Sequence, residues 1–201
     1  NRRQRQMCIR DSINNGPYTH DAQIVMYDGP DADHAGQEVA FCFNGSAGVA
    51  IVDVSNKMDM TEISAFNYSQ SAYTHQGWVS EDHTFLYFND ELDEGQFGNG
   101  TRTYIADISD LDAPTVVGFY EADNTSVDHN LYIRDGKLYA SNYMSGLRVS
   151  TFLPNGNIAP YGYFDVRPDS DTTSFCGTWS NYPYFPSGNI AISCRSVGLF
   201  M

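Results

Sequence analysis

A unit of about 54 residues occurs three times in the chain, and its opening occurs a fourth time. The copies begin at "YTHDAQIVMYDG" from Tyr18, "YTHQGWVSEDHTFLYFND" from Tyr73 and "VDHNLYIRDGKLYASNY" from Val127. His20, His75 and His129 lie 55 and 54 residues apart. The fourth copy starts at "FCGTWSNYPYFPSGNIAISC"; there Cys176 takes the histidine's place and Trp179 matches Trp78 and Tyr132. The later half repeats as well: "GVAIVDVSNKMDMTEISAF" parallels "RTYIADISDLDAPTVVGFY", with Asp53 and Asp107 again 54 apart, and "GLRVSTFLPNGNIAPYGYF" is a degenerate third copy. Self-similarity at this period means a stacked architecture, because one such unit cannot bury both of its faces alone.

Each unit reads as four short strands. In the second they fall near 75–79, 84–89, 102–107 and 115–120, marked by alternation, β-branched and aromatic residues, and Gly, Asp, Asn and Pro at the turns. No run has helical periodicity, so no helix longer than about three turns is expected. Four strands per unit of this length is the pattern of a β-propeller blade. The predicted fold is all-β and β-propeller-like, with about four blades of four-stranded antiparallel sheet. Repeats are placed near 18–72, 73–126, 127–174 and 175–201.

Residues 1–12, "NRRQRQMCIRDS", do not fit this scheme. They lack an apolar core and alternation, and they read as a non-native, adapter-like addition that would not pack. The fold is therefore assigned to residues 13–201. The segment holds four of the eleven basic residues; without it seven basic and 24 acidic residues remain, a net charge of −17 against −14 for the whole. That balance excludes nucleic acid as a partner, which needs basic patches to displace counterions. It also disfavours an anionic membrane surface. No run of 18 apolar residues is present, so no membrane-spanning helix is expected.

The phrases "VAIVDVS", "THDAQ", "YTHQGW", "NDELDE", "TRTYIADISDLDAP", "DHNLY" and "WSNYPYFPSG…GLF" resemble the LVIVD-repeat proteins of the choice-of-anchor B family, from about Tyr18 to Met201. The resemblance implies a propeller-like repeat protein, secreted or anchored at the cell surface, with an extracellular ligand or surface partner that the resemblance does not identify. It implies no defined activity. The chain stops just after "VGLF", inside a unit, and reads as a fragment lacking the signal peptide and anchor.

Equivalent residues on the innermost strands of successive blades ring the central axis. His20, His75 and His129 would then face one another. Asp21, Asp128, Asp90 and Glu91 stand nearby in sequence. Imidazole and carboxylate together suit a divalent metal such as zinc, manganese, iron or nickel. The competing reading is structural: repeats copy packing residues, and a histidine recurs if it bonds the next blade's backbone. Two functions follow. One is a non-catalytic extracellular binding or adhesion module. The alternative is a metal-dependent hydrolase or oxidoreductase using the histidine and carboxylate centre. No HExxH, GxSxG, P-loop or dinucleotide motif favours a defined chemistry.

The remaining features read as structural. Asp53 and Asp107 would stabilise turns. The acidic runs 28–36 and 89–100 read as solvated loops, although calcium suits such oxygens. Trp78, Tyr132 and Trp179 would pack between blades. His34 and His83 would be exposed. Cys42, Cys176 and Cys194 form no metal motif; Cys176–Cys194 could pair, but free thiols are the expectation.

Overall fold

The computed structural model describes residues 18–201. The expectation for residues 1–12 lies outside the described residues. Fifteen strands form four separate, open antiparallel sheets. The first holds β1 (Asp21–Met26), β2 (Glu38–Phe43), β3 (Val49–Asp53) and β4 (Thr61–Phe66). The second holds β5 (Thr74–Val79), β6 (Phe85–Asp90), β7 (Arg102–Asp107) and β8 (Thr115–Glu121). The third holds β9 (Leu131–Arg134), β10 (Lys137–Asn142), β11 (Gly146–Phe152) and β12 (Ile158–Phe164). The fourth holds three strands, β13 (Thr178–Tyr182), β14 (Ala191–Cys194) and β15 (Gly198–Phe200). Within each sheet the strands lie in chain order. Among the described residues, helix is confined to a 3-10 turn at Ala32–His34 and one short helix, α1 (Asp93–Phe97). No helix of the described residues is long and apolar enough to cross a membrane.

The sheets stack face to face because their strands alternate apolar residues toward two neighbours. In β2, Val39, Phe41 and Phe43 turn toward the second sheet, where they meet Val79, Leu86, Phe88, Tyr104 and Ala106. In β6 the neighbouring Tyr87 points the other way, with Ile105, into a second core against Leu131, Ile133, Leu138 and Ala140 of the third sheet. The continuous run "FLYF" in β6 is thus explained by burial on both faces. The same bulge recurs in three sheets, at Ile51/Val52, Ile105/Ala106 and Val149/Ser150. The turn before β3 and the turn before β11 each require a glycine. Gly48 and Gly146 have φ of 81° and 80°, and a Cβ on either would lie 2.4 Å from a carbonyl oxygen of the outer strand. Asp53 and Asp107 accept the N–H of Ser55 (2.8 Å) and Ser109 (2.9 Å), closing the turns as expected.

Several surface expectations are corrected. The 89–100 run is not a solvated loop: its centre is α1, and Asp93 and Glu94 are buried. His34 and His83 are half-buried where the first two sheets meet. His83 stacks on Tyr27 and accepts the Asp28 N–H, while His34 reaches Gln37 and Asp112. Cys42, Cys176 and Cys194 are free thiols.

Candidate metal centre

The first strands β1, β5, β9 and β13 stand side by side, and they carry a row of rings at one end. Ring centres are separated by 4.5 Å from His20 to His75, 4.1 Å from His75 to His129 and 4.4 Å from His129 to Trp179. The fourth position therefore belongs to Trp179. Cys176 is exposed and does not replace the histidine, so the fourth unit is shifted by three residues from the register that the sequence suggests. Trp78 and Tyr132 do pack together, 5.1 Å apart, but their row continues into Tyr184 rather than Trp179.

Local backbone features aim the histidines. A bulge between Thr74 and Gly77 lifts His75 and Gln76 off the regular ladder with β6. Gly77 allows the close pass that follows, since a Cβ there would lie 2.6 Å from the Phe43 ring and from the Tyr87 carbonyl oxygen. Asn89, buried on β6, clamps both flanks: its Oδ1 accepts the Gln76 N–H (3.2 Å) and its Nδ2 donates to the His129 carbonyl. Gln76 Oε1 in turn accepts the Leu131 N–H at 2.8 Å, tying β5 to β9.

The carboxylate that meets the histidines is Glu91. His75 Nε2 lies 3.9 Å from Glu91 Oε2, and His129 Nε2 lies 3.6 Å from Glu91 Oε1. All three donor atoms fall within 4.8 Å of one another. Both histidines are 3% exposed. Burial lowers their affinity for protons, and so does the positive charge each would place beside the other rings: His75 is pushed down to about 2 and His129 to about 4. Both are neutral at physiological pH, so the contacts with Glu91 are not ion pairs. His129 Nδ1 is bonded to the Trp179 carbonyl, which places its proton there and leaves the Nε2 lone pair toward Glu91. Burial raises the Glu91 carboxyl, against a 2.6 Å hydrogen bond donated by Tyr143. Glu91 also borders a mostly apolar hollow of 290 Å³ between Leu92, Val127 and Phe175. A larger hollow of 490 Å³ lies at the outer edges of the second and third sheets, and neither hollow is lined by a histidine.

The other candidates separate from this group. His20 is exposed, and its Nδ1 contacts the hydroxyls of Tyr73 (2.9 Å) and Tyr18 (3.2 Å). It extends the row without joining the donor triad. Asp21 accepts the N–H of Ala22. Asp90 is buried and already saturated: its two oxygens accept from Tyr68 Oη, Ala72 N, Tyr73 N and Leu92 N at 2.6–3.1 Å. It holds the turn from which Glu91 projects. Asp128 is buried but lies against Glu94, whose Oε1 accepts the Asp128 N–H at 3.3 Å. A second group, Asp31, His34 and Asp112, also falls within 4.8 Å. Its atoms are occupied: Asp31 accepts from Asp33 N and Leu111 N, and both His34 nitrogens are bonded. It is a clasp between the first two sheets. Tyr143 was not apparent from the histidine repeat. Aligning "FCFNG", "YFNDE" and "YASNY" sets Gly45, Glu91 and Tyr143 in one position, which places the tyrosine at the site.

No family model matches the sequence, and no curated protein matches it. Solved structures do. A crystal structure of a protein from Lactobacillus plantarum matches with a TM-score of 0.56 and 14% identity, over 90% of this chain and 52% of that one. A functionally unknown protein from Desulfotomaculum acetoxidans matches with a TM-score of 0.57 and 12% identity, over 92% of this chain and 58% of that one. The chain spans a little over half the length of each. Likeness at such identity concerns the fold alone.

Proposed function

We infer that the chain is part of a propeller-like repeat protein whose inner strands hold a divalent transition metal on His75, His129 and Glu91. The observation that carries this reading is the convergence of two buried, neutral imidazole Nε2 atoms on one carboxylate. Donors on a metal with bonds of about 2.1 Å stand about 3.0–3.4 Å apart; His75 and His129 lie 3.9 and 3.6 Å from different Glu91 oxygens and the three donors lie within 4.8 Å, so the group must contract to hold an ion. Two histidines and one carboxylate suit zinc or ferrous iron and leave coordination positions open. Such a metal would supply Lewis-acid or redox chemistry to a bound ligand. The chain's own part is to orient. The Trp179 carbonyl fixes the His129 tautomer, Asn89 holds the His129 backbone, and Tyr143 fixes the Glu91 carboxylate. Metal-dependent hydrolysis or oxidation is therefore the reaction class we favour.

The second reading, an extracellular or surface-anchored binding module without catalysis, rests on the phrases that resemble the choice-of-anchor B family. The exposed rings of Tyr161 and Tyr163 on the outer strand β12 give it a contact surface. Equilibrium dialysis against zinc and ferrous iron separates the two. Stoichiometric uptake by the native chain, lost in His75→Ala, supports the metal centre; no uptake leaves the binding module.

A further inference from the structure

Three carboxylates lie buried beside the histidine site with no cation to balance them. Asp93, Glu94 and Asp128 are 0%, 3% and 2% exposed. Among the described residues, none of them forms an ion pair with Lys, Arg or His. A buried carboxylate without a counter-charge is costly, and three together more so. Their oxygens are also short of donors. Asp93 Oδ2 accepts from Tyr104 (2.7 Å) and Asn99 (3.3 Å), and Glu94 Oε1 accepts from Asp128 N. Asp93 and Glu94 meet carboxyl to carboxyl, and apart from that contact Asp93 Oδ1, Glu94 Oε2 and both oxygens of Asp128 have no partner.

An oxygen outside the acidic group points to the same need. Residues 126–130 run along 141–145 through Ser126 Oγ to Asn142 O (2.9 Å) and Ser141 N to Asn130 O (2.9 Å). This sets Asn142 beside Asp128. Asn142 is 5% exposed, and its Oδ1 is likewise without a partner. Its counterpart in the second sheet, Asp90, has four donors. Five buried oxygens without donors, four carboxylate and one carboxamide, thus lie on α1 of the second sheet, on the 126–130 segment of the third and on the strand beside that segment.

We propose that Asp93, Glu94 and Asp128, with Asn142, bind a hard divalent cation of the calcium class, at a site separate from the histidine centre. All the donors are oxygens, which selects against zinc and copper. Calcium accepts six to eight of them at about 2.3–2.6 Å, so donors on opposite sides stand about 5 Å apart. The three carboxylates are not among the groups whose donors all fall within 4.8 Å, so the cation draws α1 toward the 126–130 segment. It cross-links the second and third sheets at the end that carries the histidine row.

The test uses the whole 201-residue chain, stripped with a chelator. Calcium uptake is measured by elemental mass spectrometry after dialysis, together with the melting temperature. The proposal expects one calcium per chain below about 1 mM, an upward shift in melting temperature, and no displacement by zinc. Glu94→Gln should weaken calcium uptake by more than about tenfold, and Asp93→Asn serves if that variant fails to fold. His75→Ala should leave calcium uptake unchanged, so loss of the histidine metal does not affect this result. No uptake at about 1 mM calcium, or equal uptake by Glu94→Gln and the native chain, overturns the proposal and leaves protons as the occupants.

Discussion

Glu91 and Glu94 leave the same turn three residues apart, yet they enter opposite environments. Glu91 faces two neutral imidazoles and receives the Tyr143 hydroxyl. Glu94 faces two further carboxylates and receives one backbone N–H. Both raise the proton affinity of the group, but Glu94, pressed by burial and by Asp93, is pushed up to about 9. The difference shows that burial of a carboxylate says little until its partners are counted. One cluster sets two neutral imidazoles against a carboxylate, with His75 Nδ1 left unpartnered; the other lacks positive charge altogether. Asp90, between strand and turn, is the control: as buried as Glu94, with every oxygen satisfied.

Asp90→Ala tests whether the two clusters share one foundation. It would strip partners from three backbone N–H groups and the Tyr68 hydroxyl, at a cost of about 3–5 kcal/mol in urea denaturation. Metal uptake at Glu91 and calcium uptake at Glu94 should fall together. Independent loss of one alone would separate the clusters.

The next effect is in pH dependence, where the clusters oppose each other. Glu94 keeps its proton in the folded chain up to about 9 but loses it near 4.5 when unfolded. Its contribution is full below about pH 4.5 and is lost as pH rises toward 9. His75 and His129 have folded values of about 2 and about 4, against 6.5 unfolded. Their contribution is full above about pH 6.5 and is lost as pH falls through 4 toward 2. In metal-free protein, Glu94→Gln should flatten the alkaline limb, by a few kcal/mol at pH 8. It should leave the acid limb in place. A parallel shift of the whole curve would contradict the assignment.

Smaller effects sharpen the contrast. Tyr143→Phe removes the hydroxyl that orients Glu91 and should weaken zinc binding by about tenfold without altering calcium uptake. His34→Ala breaks the clasp to Asp112, an exposed carboxylate, and should cost less than about 1 kcal/mol with both metals still bound.

The strands were legible because alternation and repeat phase agree: the four strands expected in the second unit fall within one residue of β5, β6, β7 and β8. The histidine row was legible for the same reason, since stacking converts a sequence period into adjacency. The fate of each acidic residue was not. Asp90, Glu91, Asp93 and Glu94 look alike in the string "NDELDEG", and only the turn at Asp90 and the start of α1 decide which faces the rings. Trp179 was misplaced because Cys176 precedes it by three residues, as His75 precedes Trp78 and His129 precedes Tyr132, whereas the backbone bridge from Tyr143 to Thr178 sets the register. His34 and His83 looked like turn residues; contacts 78 and 55 positions away along the chain cover them in part.

Anomalous diffraction at the zinc edge, from crystals of the chain grown with zinc, tests the central claim most directly. The account predicts one peak bonded at about 2.0–2.2 Å to His75 Nε2, His129 Nε2 and a Glu91 oxygen, absent from crystals of the His129→Ala variant. A map with no peak between these three residues, or with peaks only on exposed carboxylates, would contradict it.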